Sequence, residues 1–179
     1  MARHVAFLRA INVGGHTVRM ADLRRSFEAI GLVGVETFIA SGNVIFETTG
    51  TSPSALERRI SATLQEDLGY RVDAFVRTLN DLAGIAEYAP FAGSEIEAAG
   101  SRLFIAFVGK RPDSKLVERL AAVSSGIDSF EVHGREVYWL VRGRFSESRF
   151  SGALLERTLG MPATVRGAAT VAKIAAKYS

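Results

Sequence analysis

The order of strand-like and helix-like segments constrains the fold of this chain more than any other feature of its sequence. In the first half, β-branched and aromatic runs alternate with segments in which apolar residues recur every three or four positions. The predicted strands are 4–10, 35–40, 44–48 and 71–77, and the predicted helices run from Met20 to Gly31 and from Ser52 to Gly69. The resulting order, β-α-β-β-α-β, is that of a ferredoxin-like unit.

The second half of the chain repeats this order. Its predicted strands are 102–108, 128–133, 136–142 and 163–166. One predicted helix follows Pro112, and another covers 148–159. Each half is followed by an extra helix, at 79–88 after the first and at 168–177 after the second. Residues 76–86 and 165–175 share five identities in eleven positions, which suggests an internal repeat.

We therefore predict an α+β fold of two ferredoxin-like units, each followed by an extra helix and packed together. The predicted domains are 1–92 and 101–179, with a linker at 93–100. A single continuous sheet shared by both halves is the alternative.

Several classes of site are excluded or disfavoured by residue content. The chain has no Cys, so disulfides and thiolate chemistry are excluded, and its three His residues are scattered without metal-binding spacing. We expect no metal and no cofactor. No apolar stretch approaches the roughly 20 residues of a transmembrane helix, and the apolar run before Asn12 is too short for a signal peptide. A cytoplasmic protein that does not bind a membrane is expected.

The loop after the first strand, Arg9 to Gly15, is the first candidate site. The consecutive glycines Gly14 and Gly15 let backbone N–H groups converge on an anion, and Arg9 supplies a positive charge. The alternative is a glycine-lined turn in which Asn12 bonds the backbone.

The segment Ser41-Gly42-Asn43 is the second candidate. It is predicted to form the turn of a hairpin, with Gly42 or Asn43 at positive φ, or to bring Ser41 and Asn43 to the rim of a site. We expect the hairpin to lie at the end of the sheet opposite the first loop, which argues against one shared pocket.

A basic carboxy-terminal region is the third candidate. Residues 132–179 contain 8 basic and 3 acidic residues, an excess that attracts anions unless it is only a solvated face. Ser148 and Arg149 are predicted at a helix start, where N–H groups favour an anion. Its remaining candidates are Arg166, Thr170 and Lys173, and the last two share a helix face.

These segments resemble the family called domain of unknown function 1697. The stretch FLRAINVGG at 7–15 is similar to the family's usual LLRGINVGG, and TFIASGNVIFE at 37–47 matches its next strand pair. Further similar stretches are 20–32, 76–85, 90–93, 148–150 and 155–166. After Arg166, Gly167-Ala168-Ala169 stands where the family typically has Asn-Trp-Asn. If those side chains contact a ligand, this chain lacks part of that site or binds something smaller.

The resemblance supports the fold and assigns no activity, so the catalytic residues are unknown and an enzyme is one open hypothesis. Our first hypothesis is a binding protein for a small anionic, phosphate-bearing ligand. The second is a nucleic-acid-binding protein that uses its ferredoxin-like sheets and the basic carboxy-terminal region. Tyr138 or Trp139 could also stack on bases; the alternative places Trp139 in the core. A homodimer is a further hypothesis.

Overall fold

The structure is a computed structural model that describes residues 1–12 and 14–178, with Ser41 described by its backbone alone. The chain divides into two compact units. Unit 1 comprises Met1–Ala83 together with the last residues from Lys177 onward, and unit 2 comprises Gly84–Ala176. The division falls within a helix, whereas the predicted linker at 93–100 includes a short helix. The predicted boundaries of independent domains stay a prediction.

The first half of the chain contains four strands and three helices in the predicted order. They are β1 (Ala2–Arg9), α1 (Met20–Ala29), β2 (Val33–Phe38), β3 (Ala40–Thr48), α2 (Pro53–Leu68), β4 (Asp73–Thr78) and α3 (Leu79–Glu87). The sheet of unit 1 has the strand order β2-β3-β1-β4, and neighbouring strands are antiparallel.

One face of this sheet carries the core of unit 1. Ala6 and Leu8 of β1 pack with Phe27 of α1 and with Leu56 and Ile60 of α2. Side chains alternate along a strand, so Phe7 and Arg9 point toward the face opposite these two helices.

Local capping explains where α2 begins and ends. The Ser52 hydroxyl accepts a hydrogen bond from the Ala55 N–H, and Pro53 occupies the first turn. Gly69 ends the helix in the left-handed conformation, with φ of 78°. Both ends of this helix were predicted correctly.

The hairpin between β2 and β3 differs from the prediction. Its turn is at Ile39, which has φ of 69°, and Ser41-Gly42-Asn43 belongs to β3. Phe38 lies opposite Ala40 and Thr37 opposite Val44, so the pairing skips over the three residues between them. A bulge therefore absorbs the segment that was expected to turn.

The second half contains four strands and four helices in a similar order. They are α4 (Gly93–Ile96), β5 (Arg102–Val108), α5 (Ser114–Val123), β6 (Asp128–His133), β7 (Glu136–Val141), α6 (Gly152–Leu159), β8 (Ala163–Gly167) and α7 (Ala168–Tyr178). The sheet of unit 2 has the antiparallel order β6-β7-β5-β8. Two such sheets, each with helices, are consistent with two ferredoxin-like units, as predicted.

One helix of unit 2 starts later than predicted. A 3₁₀ turn covers Phe145–Glu147, and α6 begins only after Ser151, whose hydroxyl accepts from the Leu154 N–H. Ser148 is therefore not at the start of an α-helix, and the predicted anion site at a helix N-terminus is wrong for this residue.

Candidate functional site

Three connecting segments of unit 1 lie at one end of its sheet. Phe7 pairs with Asn43 and Arg9 pairs with Asp73, so β1 ends where β3 and β4 begin. We call this end the loop edge; it comprises the β1–α1 loop at 10–19, the hairpin at 38–43 and the α2–β4 loop at 69–72. The expectation that the hairpin lies at the opposite end from the glycine loop is wrong, because β2 and β1 run in the same direction with β3 between them.

A side-chain contact joins the start of α1 to this hairpin. Thr37 Oγ1 lies 2.8 Å from Met20 Sδ. The N-cap residue of α1 is Arg19, whose side chain makes no capping hydrogen bond. Helix N-termini attract anions through their N–H groups and the helix dipole, so α1 presents such an end at the loop edge.

The glycine loop is held by hydrogen bonds at its two sides. Asn12 Oδ1 accepts from the Val18 N–H at 3.0 Å, and the Tyr70 hydroxyl donates to the Ile11 carbonyl at 2.7 Å. The ring of His16 stacks on Tyr70 with 4.3 Å between ring centroids. Asn12 thus has the backbone-bonding role of the alternative interpretation.

Backbone conformation explains why glycines occur in this loop. Gly14 and Gly15 have φ of 65° and 81°, and a Cβ built at Gly15 would have no atom within 4 Å. The glycine is therefore needed for its φ rather than for lack of space. The backbone at Gly15 is open to an incoming group.

Ala10 adopts a similar conformation without being glycine, with φ of 60°. Such a φ is unfavourable for residues with a Cβ, and left-handed residues often occur near functional sites. The strained position lies between Arg9 and the glycine loop.

Charged side chains converge beside β1 and β4 at the loop edge. Arg71 Nε donates to Asp73 Oδ1 at 3.0 Å, and Arg9 Nη1 lies 3.6 Å from Asp73 Oδ2. Asp73 is mostly buried, whereas Arg9 and Arg71 remain partly exposed. This cluster therefore holds two guanidinium groups and one carboxylate.

The second predicted site contributes structure to this edge. Asn43 is buried, and its Nδ2 donates to the Phe38 carbonyl at 3.2 Å. This bond ties the bulged strand to the end of β2. The side chain of Ser41 lies outside the described residues.

The carboxy-terminal candidates occupy different surroundings. The Ser148 hydroxyl donates to Asp128 Oδ1 at 2.8 Å, and Arg149 lines a pocket that also includes Asp128 and Glu147. Two carboxylates beside one guanidinium do not favour an anion. A second basic site there stays a prediction, with these charges against it.

Arg166 is enclosed by its own strand. Its Nη1 donates to Thr164 Oγ1 at 2.8 Å and to the Val165 carbonyl at 3.0 Å. Burial lowers the pKa of the Arg166 guanidinium to about 10. In α7, Thr170 is half-buried and Lys173 is exposed.

The aromatic residues considered for base stacking are both in the core. Tyr138 and Trp139 are fully or almost fully buried, although they point to opposite faces of β7. The interpretation of Trp139 as a core residue is confirmed. Ferredoxin-like RNA-binding modules stack bases on an exposed sheet face, and β7 has no exposed residue on either face.

Sequence reasoning missed Tyr70, Asp73 and Asp128. Arg71 and Asp73 form an i, i+2 pair on one side of a strand, a signal visible in the sequence. Tyr70 and Asp128 gave no comparable signal, because their partners are 59 and 11 or more residues away in the chain.

Residues 1–12 and 14–178 lack two features, a helix able to cross a membrane and a group of metal ligands. No helix in these segments combines the length and the apolar character that a membrane crossing requires. In the same segments, no three His, Asp or Glu side chains are grouped as ligands for a metal ion.

Comparison with known proteins places the chain in a family. Residues 1–138 match the family described as protein of unknown function (DUF1697). The chain belongs to this family. Its fold is similar to that of a conserved bacterial protein from Streptococcus pneumoniae, which is 23% identical in sequence. The TM-score is 0.77, and the match covers 99% of this chain and 98% of that one. No protein with a curated description matches the sequence.

Proposed function

We propose that this DUF1697 protein binds a small anionic ligand, such as a phosphate-bearing metabolite, at the loop edge of unit 1. The observation that carries the proposal is the strand register, which gathers the glycine loop, the start of α1 and the Arg9–Asp73 pair at one end of the sheet. The hairpin at 38–43, which the sequence was expected to place at the opposite end of the sheet, lies at this end as well.

The charges of the loop edge favour an anion. Arg9 and Arg71 outnumber the single carboxylate of Asp73, so the cluster keeps an excess of one positive charge. Arg19 is the N-cap residue of α1, whose first turn also carries Asp22. Asp73 lies between Arg9 and Arg71 and limits the conformations of both side chains. A preorganised guanidinium loses less entropy when it binds an anion, and its fork of N–H donors matches the oxygens of phosphate.

The backbone supplies the second component of the site. The position beside Gly15 is open, and the side chain of the N-cap residue Arg19 makes no capping hydrogen bond to the first turn of α1. An anion that reaches this end of the helix replaces the missing cap as an acceptor for backbone N–H groups.

The proposal is tested by calorimetric titration with inorganic pyrophosphate and with a nucleotide at low salt. A hydrogen bond to a charged group contributes about 1.5–3 kcal/mol, so Arg9→Ala should weaken binding by roughly tenfold or more. Arg3→Ala is the matched control, because Arg3 is at the other end of β1 in an ion pair with Glu47. Equal effects of the two variants, or unchanged affinity in Arg9→Ala, would rule out the proposed site.

Nucleic acid as the partner, a homodimer, catalysis and a cytoplasmic location stay predictions. The burial of Tyr138 and Trp139 removes the stacking argument for nucleic acid. The positive charge of the carboxy-terminal region is the remaining support for that hypothesis, and binding by phosphate contacts would weaken steeply with salt.

A further inference from the structure

Unit 2 contains a pocket whose chemistry differs from that of the loop edge. Its volume is about 440 Å³, within the range of about 300–1,000 Å³ that is usual for small-molecule sites. One part of its wall is apolar and consists of Val123, Ile127, Phe150 and Leu154. The apolar part of a ligand can therefore pack against this wall.

The polar part of the wall is centred on a buried carboxylate. Asp128 lies at the start of β6 and is only 4% exposed. Its Oδ1 accepts hydrogen bonds from Trp139 Nε1 and from the Ser148 hydroxyl, both at 2.8 Å. These bonds fix the orientation of the carboxylate.

The other carboxylate oxygen of Asp128 has no such partner. No donor among residues 1–12 and 14–178 hydrogen-bonds to Oδ2, although Asp128 lines the pocket. Oδ2 is not among the fully enclosed polar atoms that lack a hydrogen-bond partner, so it is accessible from the pocket, where water can donate to it. A ligand that carries N–H donors would take the place of that water.

The charges around the pocket indicate the sign of that ligand. Glu147 and Arg149 line it with Asp128, so the wall carries one net negative charge. Both Glu147 and Arg149 are exposed. No ion pair joins Arg149 to another residue in the described part of the chain, so its guanidinium is available at the rim.

We infer that this pocket binds a primary ammonium group attached to a small apolar body. The ammonium donates to Asp128 Oδ2, and the apolar body packs against Phe150 and Leu154. Such a group occurs in simple amines and in apolar amino acids. Only the amino acids also carry a carboxylate, which Arg149 would bind. No residue of the loop edge takes part, so the inference is independent of the anion site.

The only tryptophan of the chain provides a direct readout, because Trp139 Nε1 is bonded to Asp128. The full-length protein is titrated with phenethylamine, 2-phenylethanol, 3-phenylpropionate and phenylalanine while tryptophan emission is recorded. We expect phenethylamine to bind at least tenfold more tightly than 2-phenylethanol, which has nearly the same shape and no charge. 3-Phenylpropionate should bind most weakly of the four.

Two variants separate charge from packing. Asp128→Asn retains an oxygen that accepts from Trp139 and Ser148 and removes the negative charge, so the preference for phenethylamine over 2-phenylethanol should disappear. Leu154→Lys places an ammonium at the wall of the pocket and should abolish amine binding even if Asp128→Asn fails to fold. Leu154 is half-buried, so the substitution leaves the lysine partly in solvent.

Arg149→Ala distinguishes the two sources of the ammonium group. If this variant binds phenylalanine as tightly as the unmodified protein does, the pocket is assigned to amines. If it binds phenylalanine at least fivefold more weakly and phenethylamine equally well, the pocket is assigned to amino acids. Equal binding of phenethylamine and 2-phenylethanol, or no response to either ammonium compound at 10 mM, overturns the inference.

Discussion

The hydroxyl of Tyr138 allows the cost of an unsatisfied buried carbonyl to be measured. It donates to the Ile85 carbonyl at 2.7 Å, and Tyr138 is fully buried. Ile85 lies in the last turn of α3, where carbonyl groups have no partner within the helix. Tyr138→Phe leaves that carbonyl without its donor and makes no other change in shape.

The expected cost follows from this burial. A typical hydrogen bond contributes about 1 kcal/mol net, and leaving a buried polar group unsatisfied costs about 1–3 kcal/mol. We therefore expect Tyr138→Phe to lower the free energy of unfolding by about 2–3 kcal/mol. For a chain of this size that corresponds to a decrease in Tm of roughly 4–12 °C.

Tyr70 provides a matched comparison within the same chain. Its hydroxyl donates to the Ile11 carbonyl at the same distance, 2.7 Å, but Tyr70 is half-buried. Water can replace the missing donor there, so Tyr70→Phe should cost only about 0.5–1 kcal/mol. Tyr88→Phe is the control, because the ring of Tyr88 stacks on His133 and its hydroxyl has no hydrogen-bond partner in the described segments.

The assay is urea unfolding followed by two signals. Trp139 fluorescence reports on unit 2, and far-UV circular dichroism reports on the whole chain. Transitions that do not coincide would show that the units unfold separately, and each would then be fitted by itself. A Tyr138→Phe variant no less stable than Tyr70→Phe would refute the assignment of the cost to burial.

Three further predictions concern other parts of the fold. Burial lowers the pKa of His4 from 6.5, so the unfolded chain binds the proton more readily and the free energy of unfolding falls as pH decreases below about 6.5. In urea titrations at pH 7.5 and 5, the His4→Gln variant should lose less of its free energy of unfolding between the two pH values than the unmodified protein does. Gly69→Ala should cost about 1 kcal/mol in thermal unfolding, since φ is 78° and the space beside it is open, and no loss would contradict that backbone conformation. Glu57 Oε1 accepts from the Val76 N–H and lies 3.3 Å from Arg77 Nη1 in the core; Glu57→Gln should cost roughly 3 kcal/mol, and a double-mutant cycle with Arg77→Met should detect coupling between the two.

Local sequence features predicted most of the secondary structure. The bounds of β5 and β6 match their predicted segments, and α2 begins at its Ser-Pro cap and ends at Gly69. These features succeed because hydrophobic period, capping and helix termination depend on residues a few positions apart. The order of eight strands then limited the topology to two ferredoxin-like units.

The candidate site was predicted only in pieces. The glycine loop and Arg9 were chosen from the sequence, and the loop does turn at Gly14 and Gly15. The partners of Arg9 and Ile11 were not predictable, because Asp73 and Tyr70 are separated from them by some sixty residues of intervening chain. The prediction that Ser41-Gly42-Asn43 forms the hairpin turn failed because turn residues also occur in bulges.

By itself, the sequence determined the order of strands and helices, the two ends of α2, and that thiolate chemistry is absent. Only the tertiary structure decided that the hairpin and the glycine loop share one end of a sheet, that Tyr138 and Trp139 are both buried, and that Asp128 meets Trp139 and Ser148 beside a pocket. The physical reason is that strand pairing and burial are set by contacts between residues distant in the chain, and local propensities carry no information about those partners.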